Sequence, residues 1–322
     1  AQAARRSGPQ DPYEAGGPVV AVALIELVGA KDTIPISGAL DEMHAQGINL
    51  AESPRGMWGT SFTARTIPSS LGGMPGGVDV PVGELVFDLD MWDVGEGAGS
   101  PVARVRKLFG SMWHRNIVKW RYTDPVSGQV RWLEGKLARE LEFAPDLDWE
   151  VDGEARVSVT MQILKPLYES KALTLLAEHP GGGGWQTVWL EVSNPTDQPG
   201  WPEWSLIPNG TCKFRFPDFS WDQEQDVDLS WEVGEHDDRM IEVAPYGNGI
   251  SVRWSVMTEP RMDTYVAADL SNASGQMGGV LPLFPIPPHT KKTVVPVQFN
   301  GSDTAQIELH LRRFWSAESG MR

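Results

Sequence analysis

The chain has one cysteine, Cys212, in 322 residues. Neither an internal disulfide framework nor a cysteine-based zinc site can be built from it. Positive charge is scarce as well: 27 Lys and Arg stand against 43 Asp and Glu, a formal net charge of -16. Affinity that depends on neutralising phosphates needs a basic footprint, which argues against nucleic-acid binding. No apolar run reaches the roughly 18 residues of a membrane-spanning helix. The most apolar early stretch, "VVAVALIELVGA", is broken by Glu26, and neither a membrane anchor nor a secretory signal is expected.

Chemistry-bearing motifs are equally sparse. The six histidines, at 44, 114, 179, 236, 289 and 310, show no metal-ligand spacing, and no Gly-x-Ser-x-Gly elbow supports a nucleophile. The glycine runs "GGMPGG" and "GGGG" lead into no Gly-Lys-Ser, so they read as loops and not as phosphate cradles. The acidic run "DQEQDVD" lacks the glycine and terminal glutamate of a calcium loop. No catalytic residue, cofactor or metal is expected, and the chain does not read as an enzyme.

What the sequence does contain is alternation with a period of two. In "ELVFDLDMWDV", Leu85, Phe87, Leu89 and Met91 share one face, and in "EARVSVTMQILK" Val157, Val159, Met161 and Ile163 do the same. "IVKWRYT-DPVSG-QVRWLEGKL" reads as a long hairpin. One helix is expected over 101–112: Ser100 and Pro101 start it, Val102, Val105, Phe109 and Met112 line its apolar face, and Arg104, Arg106 and Lys107 lie outside. A second short helix is expected at 37–47. The Gly/Pro/Ser/Met-rich stretch from Asn49 to Val82 reads as a long loop, ordered by function or by a partner.

Gly181 to Gly184 divide the chain. The expected organisation is a flexible N-terminal arm (1–18), a first β domain (19–178), a linker (179–184) and a β-sandwich (185–322). Strands are expected in the last at "QTVWLEVSN", "TCKFRFPDF", "DVDLSWEV", "RMIEVAP", "ISVRWSV", "KKTVVPVQF" and "TAQIELHLRRFW", with no helix.

Tryptophan is abundant, 14 against 5 tyrosines. A sugar-stacking role would fall to Trp201, Trp204, Trp221 and Trp231. Core or interface burial is the expectation for Trp113, Trp120, Trp132, Trp189, Trp254 and Trp315. In "NPTDQPGWPEWSLIPNG", Pro195, Pro199, Pro202 and Pro208 favour a rigid turn and a sheet edge. Trp201 and Trp204 are three apart, so in extended backbone they point to opposite faces and one of them is left for a partner.

The order of these features resembles the distal tail proteins of long-tailed phages. The resemblance rests on strands, a long loop, one helix, a hairpin and then "VSVTMQILKPLYES". It continues in "TVWLEVSN" running into "NPTDQPGWPEWSLIPNG", and in "GISVRWSVMTEPRMDTY" followed by "PLFPIPPHTKKTVVPVQFNG". Thr196 and His289 stand where glycine is common in that pattern. The richness in Trp, Gly, Ala and Arg, and the style of "WPEW", are similar to minor tail proteins of phages infecting actinobacteria.

The resemblance implies a mainly β protein with a ring-forming, sandwich- or barrel-like N-terminal domain and a galectin-like C-terminal sandwich. It further implies a homohexameric ring at the tail tip of the virion, assembled in the host cytoplasm. Its partners would be the tail tube, tape measure, tip hub and receptor-binding proteins, and DNA would pass through the lumen without specific binding. Arg104, Arg106, Lys107, Trp201 and Trp204 are the candidate partner contacts. A carbohydrate-binding module for host glycans is the alternative, and a glycoside hydrolase using two acidic residues a third reading.

Overall fold

The alternating apolar positions become strands in a computed structural model of the chain. It describes residues 23–321 apart from 39–44, 53, 58–61, 70–71, 95–99, 111–114, 145–146, 148, 150–152, 209–211, 245–252, 261–263 and 302–303. The chain is mainly β, with few helices and several sheets.

In the first half, β1 (Leu24–Val28), β2 (Thr33–Ser37) and β3 (Ile48–Leu50) precede a hairpin of β4 (Thr63–Ser69) and β5 (Gly72–Asp79). Then come β6 (Gly83–Trp92), helix α1 (Pro101–Phe109), β7 (Val118–Thr123), β8 (Val130–Leu137), β9 (Glu142–Phe143) and β10 (Glu154–Ile163). β6 and β10 pair antiparallel from Gly83↔Ile163 to Trp92↔Glu154. Leu85, Phe87, Leu89, Met91, Val157, Val159, Met161 and Ile163 are all buried. On the other face, Asp90 pairs with Arg156 at 2.6 Å and Asp88 accepts the Ser158 hydroxyl.

β7 and β8 form the expected hairpin. Its turn is held by the Asp124 carboxylate, which accepts the N–H groups of Val126 and Ser127, and by Gly128 at φ 67°. Helix α1 starts where expected: Pro101 occupies its first turn and Ser100 Oγ accepts the Ala103 N–H. It ends three residues early, because Gly110, at φ 69°, turns its N–H back to the Arg106 carbonyl. Met112 and Trp113 lie outside the described residues, as does most of the helix expected at 37–47, of which Ala45 and Gln46 are helical.

The expected loop at 49–82 is corrected. Its centre is the β4–β5 hairpin, a two-stranded sheet of its own. Glycine and proline are poor strand formers, so nothing in "GGMPGG" marks a strand; pairing with β4 overrides propensity.

In the second half, β11 (Tyr168–Glu178) and β12 (Gln186–Asn194) flank the four-glycine run, followed by β13 (Pro202–Ile207) and β14 (Cys212–Pro217). A one-turn helix α2 (Glu224–Val227), β15 (Met240–Val243), β16 (Trp254–Met257), β17 (Tyr265–Val266), β18 (Thr290–Gly301) and β19 (Gln306–Trp315) complete it. β12-β18-β14-β15 form a four-stranded sheet that packs on β17-β16-β13-β19-β11.

Three expectations fail here. "DVDLSWEV" is helix and turns, and a 3-10 turn (Ser274–Met277) adds a second helical element. Local hydrogen bonds win over a ladder: Asp228 accepts both the N–H and the hydroxyl of Ser230, and Glu224 accepts the His236 N–H. β13 is no edge strand, for it lies between β16 and β19. Pro202 is its first residue and Pro208 follows its last, so the prolines bracket the ladder without interrupting it.

The larger sheet runs on through both halves, 13 strands in all. β11 carries it across. It meets β8 at Glu169↔Trp132 and pairs with β19 from Tyr168↔Trp315 to Glu178↔Gln306. Tyr168 and Trp315, at one end of this pair, belong to the first hydrophobic core; Ala177, Leu309 and Ile307 belong to the second.

Arg131 of β8 closes the join. It is 1% exposed, stacks 3.7 Å from the Trp315 ring centre, and donates to the carbonyls of Ala317 and Gly320 at 2.7 Å each. Arg131→Leu removes both donors while leaving the carbonyls in place. A hydrogen bond to a charged group contributes about 1.5–3 kcal/mol, so urea denaturation should show a loss of about 2 kcal/mol, and limited proteolysis should trim residues after Trp315 faster than in the wild type.

Candidate interaction surfaces

The stretch "NPTDQPGW" is held by one side chain. Asn194, fully buried, donates through Nδ2 to the carbonyls of Gln198, Ile286 and Pro287, and its Oδ1 accepts the N–H and hydroxyl of Thr196. The His289 N–H bonds the Thr196 carbonyl, and Gly200 bridges Ile286 in both directions. His289 takes φ 57°, a left-handed conformation that favours glycine. Asp197 then accepts the Ser316 N–H, tying the turn to the end of β19. This is a rigid corner that presents Trp201.

Trp204 is not available to a partner. It is 2% exposed and stacks on Phe216 with ring centres 5.2 Å apart. Trp201 is half-buried and forms a ridge between two depressions, together with Pro199 and Glu259. On one side is a slot of about 160 Å³ where Lys165 and Arg312 lie 4.5 and 5.0 Å from the Phe314 ring centre. On the other is a cleft of about 620 Å³ lined by residues of 223–227, 258–260 and 281–285 together with Thr264.

Two buried carboxylates hold the walls of the larger cleft. Asp218, behind β14, accepts the N–H groups of Leu283 and Phe284 and pairs with Arg239. Burial pushes its carboxyl above the usual range in spite of the Arg239 guanidinium and these N–H donors. Glu224 anchors the opposite wall, since its helix carries Asp226 and Val227. Desolvation favours its neutral form, but hydrogen bonding from its surroundings, the His236 N–H among the donors, outweighs it and holds the carboxyl at about 2.

The basic face of α1 is partly committed within the chain. Arg104 pairs with Asp32 at 3.4 Å, and Arg106 lies over the Phe143 ring, 5.0 Å from its centre. Lys107 lines a cleft of about 590 Å³ with Lys31, Arg115 and Asn116, near the exposed Ile117. Lys31 is far from Lys107 in sequence, and nothing along the chain marks it or Arg115 as a neighbour of Lys107.

The other tryptophans divide by environment. Trp120, Trp254 and Trp315 are buried, Trp132 is half-buried with the Lys119 ammonium 5.0 Å from its ring centre, and Trp189 is 63% exposed on the outer face of β12, so of the two expected environments, core or interface, it does not occupy the core. Alternation along β12 puts Leu190 and Val192 inward, which turns Trp189 out. Trp231 packs on His236 and Phe284, and Trp221 on Phe219, and both are half-buried. Burial pushes the Cys212 thiol up to about 11, against the opposing Asn300 backbone hydrogen bond. Among the described residues, no group of three or more His, Cys, Asp or Glu side chains is placed to hold a metal ion.

No family model matches the chain, and no curated protein does. Among solved structures it is similar to the Dit protein of phage SPP1, described as a paradigm of the hub adsorption apparatus in phages infecting Gram-positive bacteria. That likeness has 11% identity and a TM-score of 0.49, over 89% of this chain and 98% of that one. It is also similar to a chain of the phage P2 baseplate in its activated conformation, at 10% identity over 90% of this chain and 98% of the other. The TM-score is 0.49 for the form with calcium and 0.48 for the form with strontium.

The depressed Glu224 carboxyl has a pH signature. A group whose pKa falls on folding contributes stability above its unfolded value, and that contribution is lost as pH drops toward the folded value. Between about pH 4.5 and 2 the loop carrying α2 should loosen. Glu224→Gln should flatten this limb of the acid-denaturation curve, read as the change in melting temperature with pH.

Proposed function

We propose that the chain is a structural protein of the distal tail tip of a long-tailed phage, one subunit of a homohexameric ring. The observation that carries this reading is the β4–β5 hairpin, whose strands pair with each other and, among the described residues, with no third strand. A lone two-stranded ribbon is marginally stable in water. Seventeen residues of it, from Thr63 to Asp79, fit a segment that completes its pairing and packing against a neighbouring subunit. A heterologous contact of this kind closes into a ring when the rotation allows.

The order of sequence features supports the same reading, as does a chain built as two β layers on one shared sheet. The first domain forms the ring, and the cleft of Lys31, Lys107 and Arg115 receives acidic surface of the next subunit, where charge sets register more than affinity. The second, galectin-like domain faces the tip hub and receptor-binding proteins and offers Trp201 to them. The tail tube and the tape measure protein meet the ring, and the net charge of -16 lets DNA pass the lumen without adhering.

Native mass spectrometry should show a hexamer, and deletion of residues 63–79 should reduce it to monomer while leaving the far-ultraviolet spectrum of a folded β protein. Antibody to the chain should label the tail tip in electron micrographs of particles. A chain that stays monomeric at every concentration and labels no tail tip would sink this reading.

A further inference from the structure

The cleft of about 620 Å³ beside Trp201 has an unusual balance of donors and acceptors. Four of its lining residues are prolines, 199, 260, 282 and 285, which have no N–H to offer. Gln223 directs its amide to the carbonyls of Ser220 and Pro285, and the Thr258 hydroxyl is bound to the Pro202 carbonyl. The N–H groups of Leu283 and Phe284 are taken by Asp218. Facing the space are two exposed carboxylates, Asp226 and Glu259, neither with an ion-pair partner among the described residues.

The rim is apolar. Val227 is 45% and Leu281 48% exposed, and Leu229, just beyond α2, is 86% exposed. Loops that are anchored by buried carboxylates yet present branched apolar side chains to water are the mark of a contact surface.

We propose that this cleft docks an extended, proline-rich segment of another protein through an arginine side chain. The fit is one of complementary chemistry. An arginine brings five donors and a positive charge to a cleft rich in acceptors, with no lysine or arginine among its described lining residues. Its planar guanidinium can stack on the indole of Trp201 while forking to a carboxylate. Prolines in the ligand pack on an aromatic and proline wall at little conformational cost, as in other recognition of polyproline II segments. A neutral saccharide fits less well, because its hydroxyls need donors as well as acceptors. The site stands or falls independently of the ring.

The test uses the full chain and fluorescence anisotropy with a short labelled peptide in which arginine alternates with proline. Its comparison ligands are the same peptide with citrulline in place of arginine, and a chito-oligosaccharide as competitor. The arginine peptide should bind and the citrulline peptide should bind about tenfold more weakly. The double variant Asp226→Asn with Glu259→Gln should weaken the arginine peptide by about the same factor, with an unchanged melting temperature, and Trp201→Ala should abolish binding. Equal affinity for the two peptides, indifference to the double variant, displacement by the saccharide, or no binding at millimolar peptide would each overturn the proposal.

Discussion

The antiparallel pairing of β11 with β19 is the constraint on which the rest depends. One end of that ladder lies in the first core and the other in the second, so the two halves cannot separate without breaking a continuous sheet. Arg131, driven into the join from β8, would be costly as a lone buried charge. It is tolerated because the Trp315 face and two backbone carbonyls surround it. Strand pairing brings residues more than a hundred positions apart into register, and the guanidinium locks that register in place.

From this spine the second half builds outward to its loops, and the same device recurs there on a smaller scale. Asn194 gathers the carbonyls of the 194–200 turn and the 285–289 loop. Asp218 gathers the N–H groups of 283 and 284, and Glu224 the N–H of His236. Each is a buried polar group whose burial is offset by hydrogen bonds to the backbone of neighbouring loops. Together they shape a cleft whose walls carry little regular secondary structure. Donors consumed inside the loops leave acceptors facing the cleft, and the proposed arginine ligand rests on that imbalance.

Much of the scaffold is legible in the sequence. Period-two alternation identified β6 and β10, runs bounded by turn residues identified β12, β18 and β19, and Ser100-Pro101 marked the start of α1 to the residue. The misses share a cause. In "DVDLSWEV" the apolar spacing mimics a strand, but Asp228 and Glu224 satisfy backbone N–H groups locally and remove the need for a ladder. "GGMPGG" has almost no side-chain signal, and its strand exists only because β4 lies beside it. The prolines around β13 suggested an edge, whereas their places at its two ends leave the interior ladder intact.

The candidate surfaces were less legible still. Alternation alone said that Trp201 and Trp204 face opposite ways; which of them is buried depended on which face of β13 meets Phe216 and the other sheet. By itself the sequence determined the strand faces, the capped start of α1, the turn at Asp124 and the acidic balance, because each rests on neighbours within a few residues. Tertiary structure alone decided the shared sheet, the Arg131 clasp, the isolated hairpin and the cleft at Trp201. These arise where distant segments complete each other's hydrogen bonds, and no local window contains both partners.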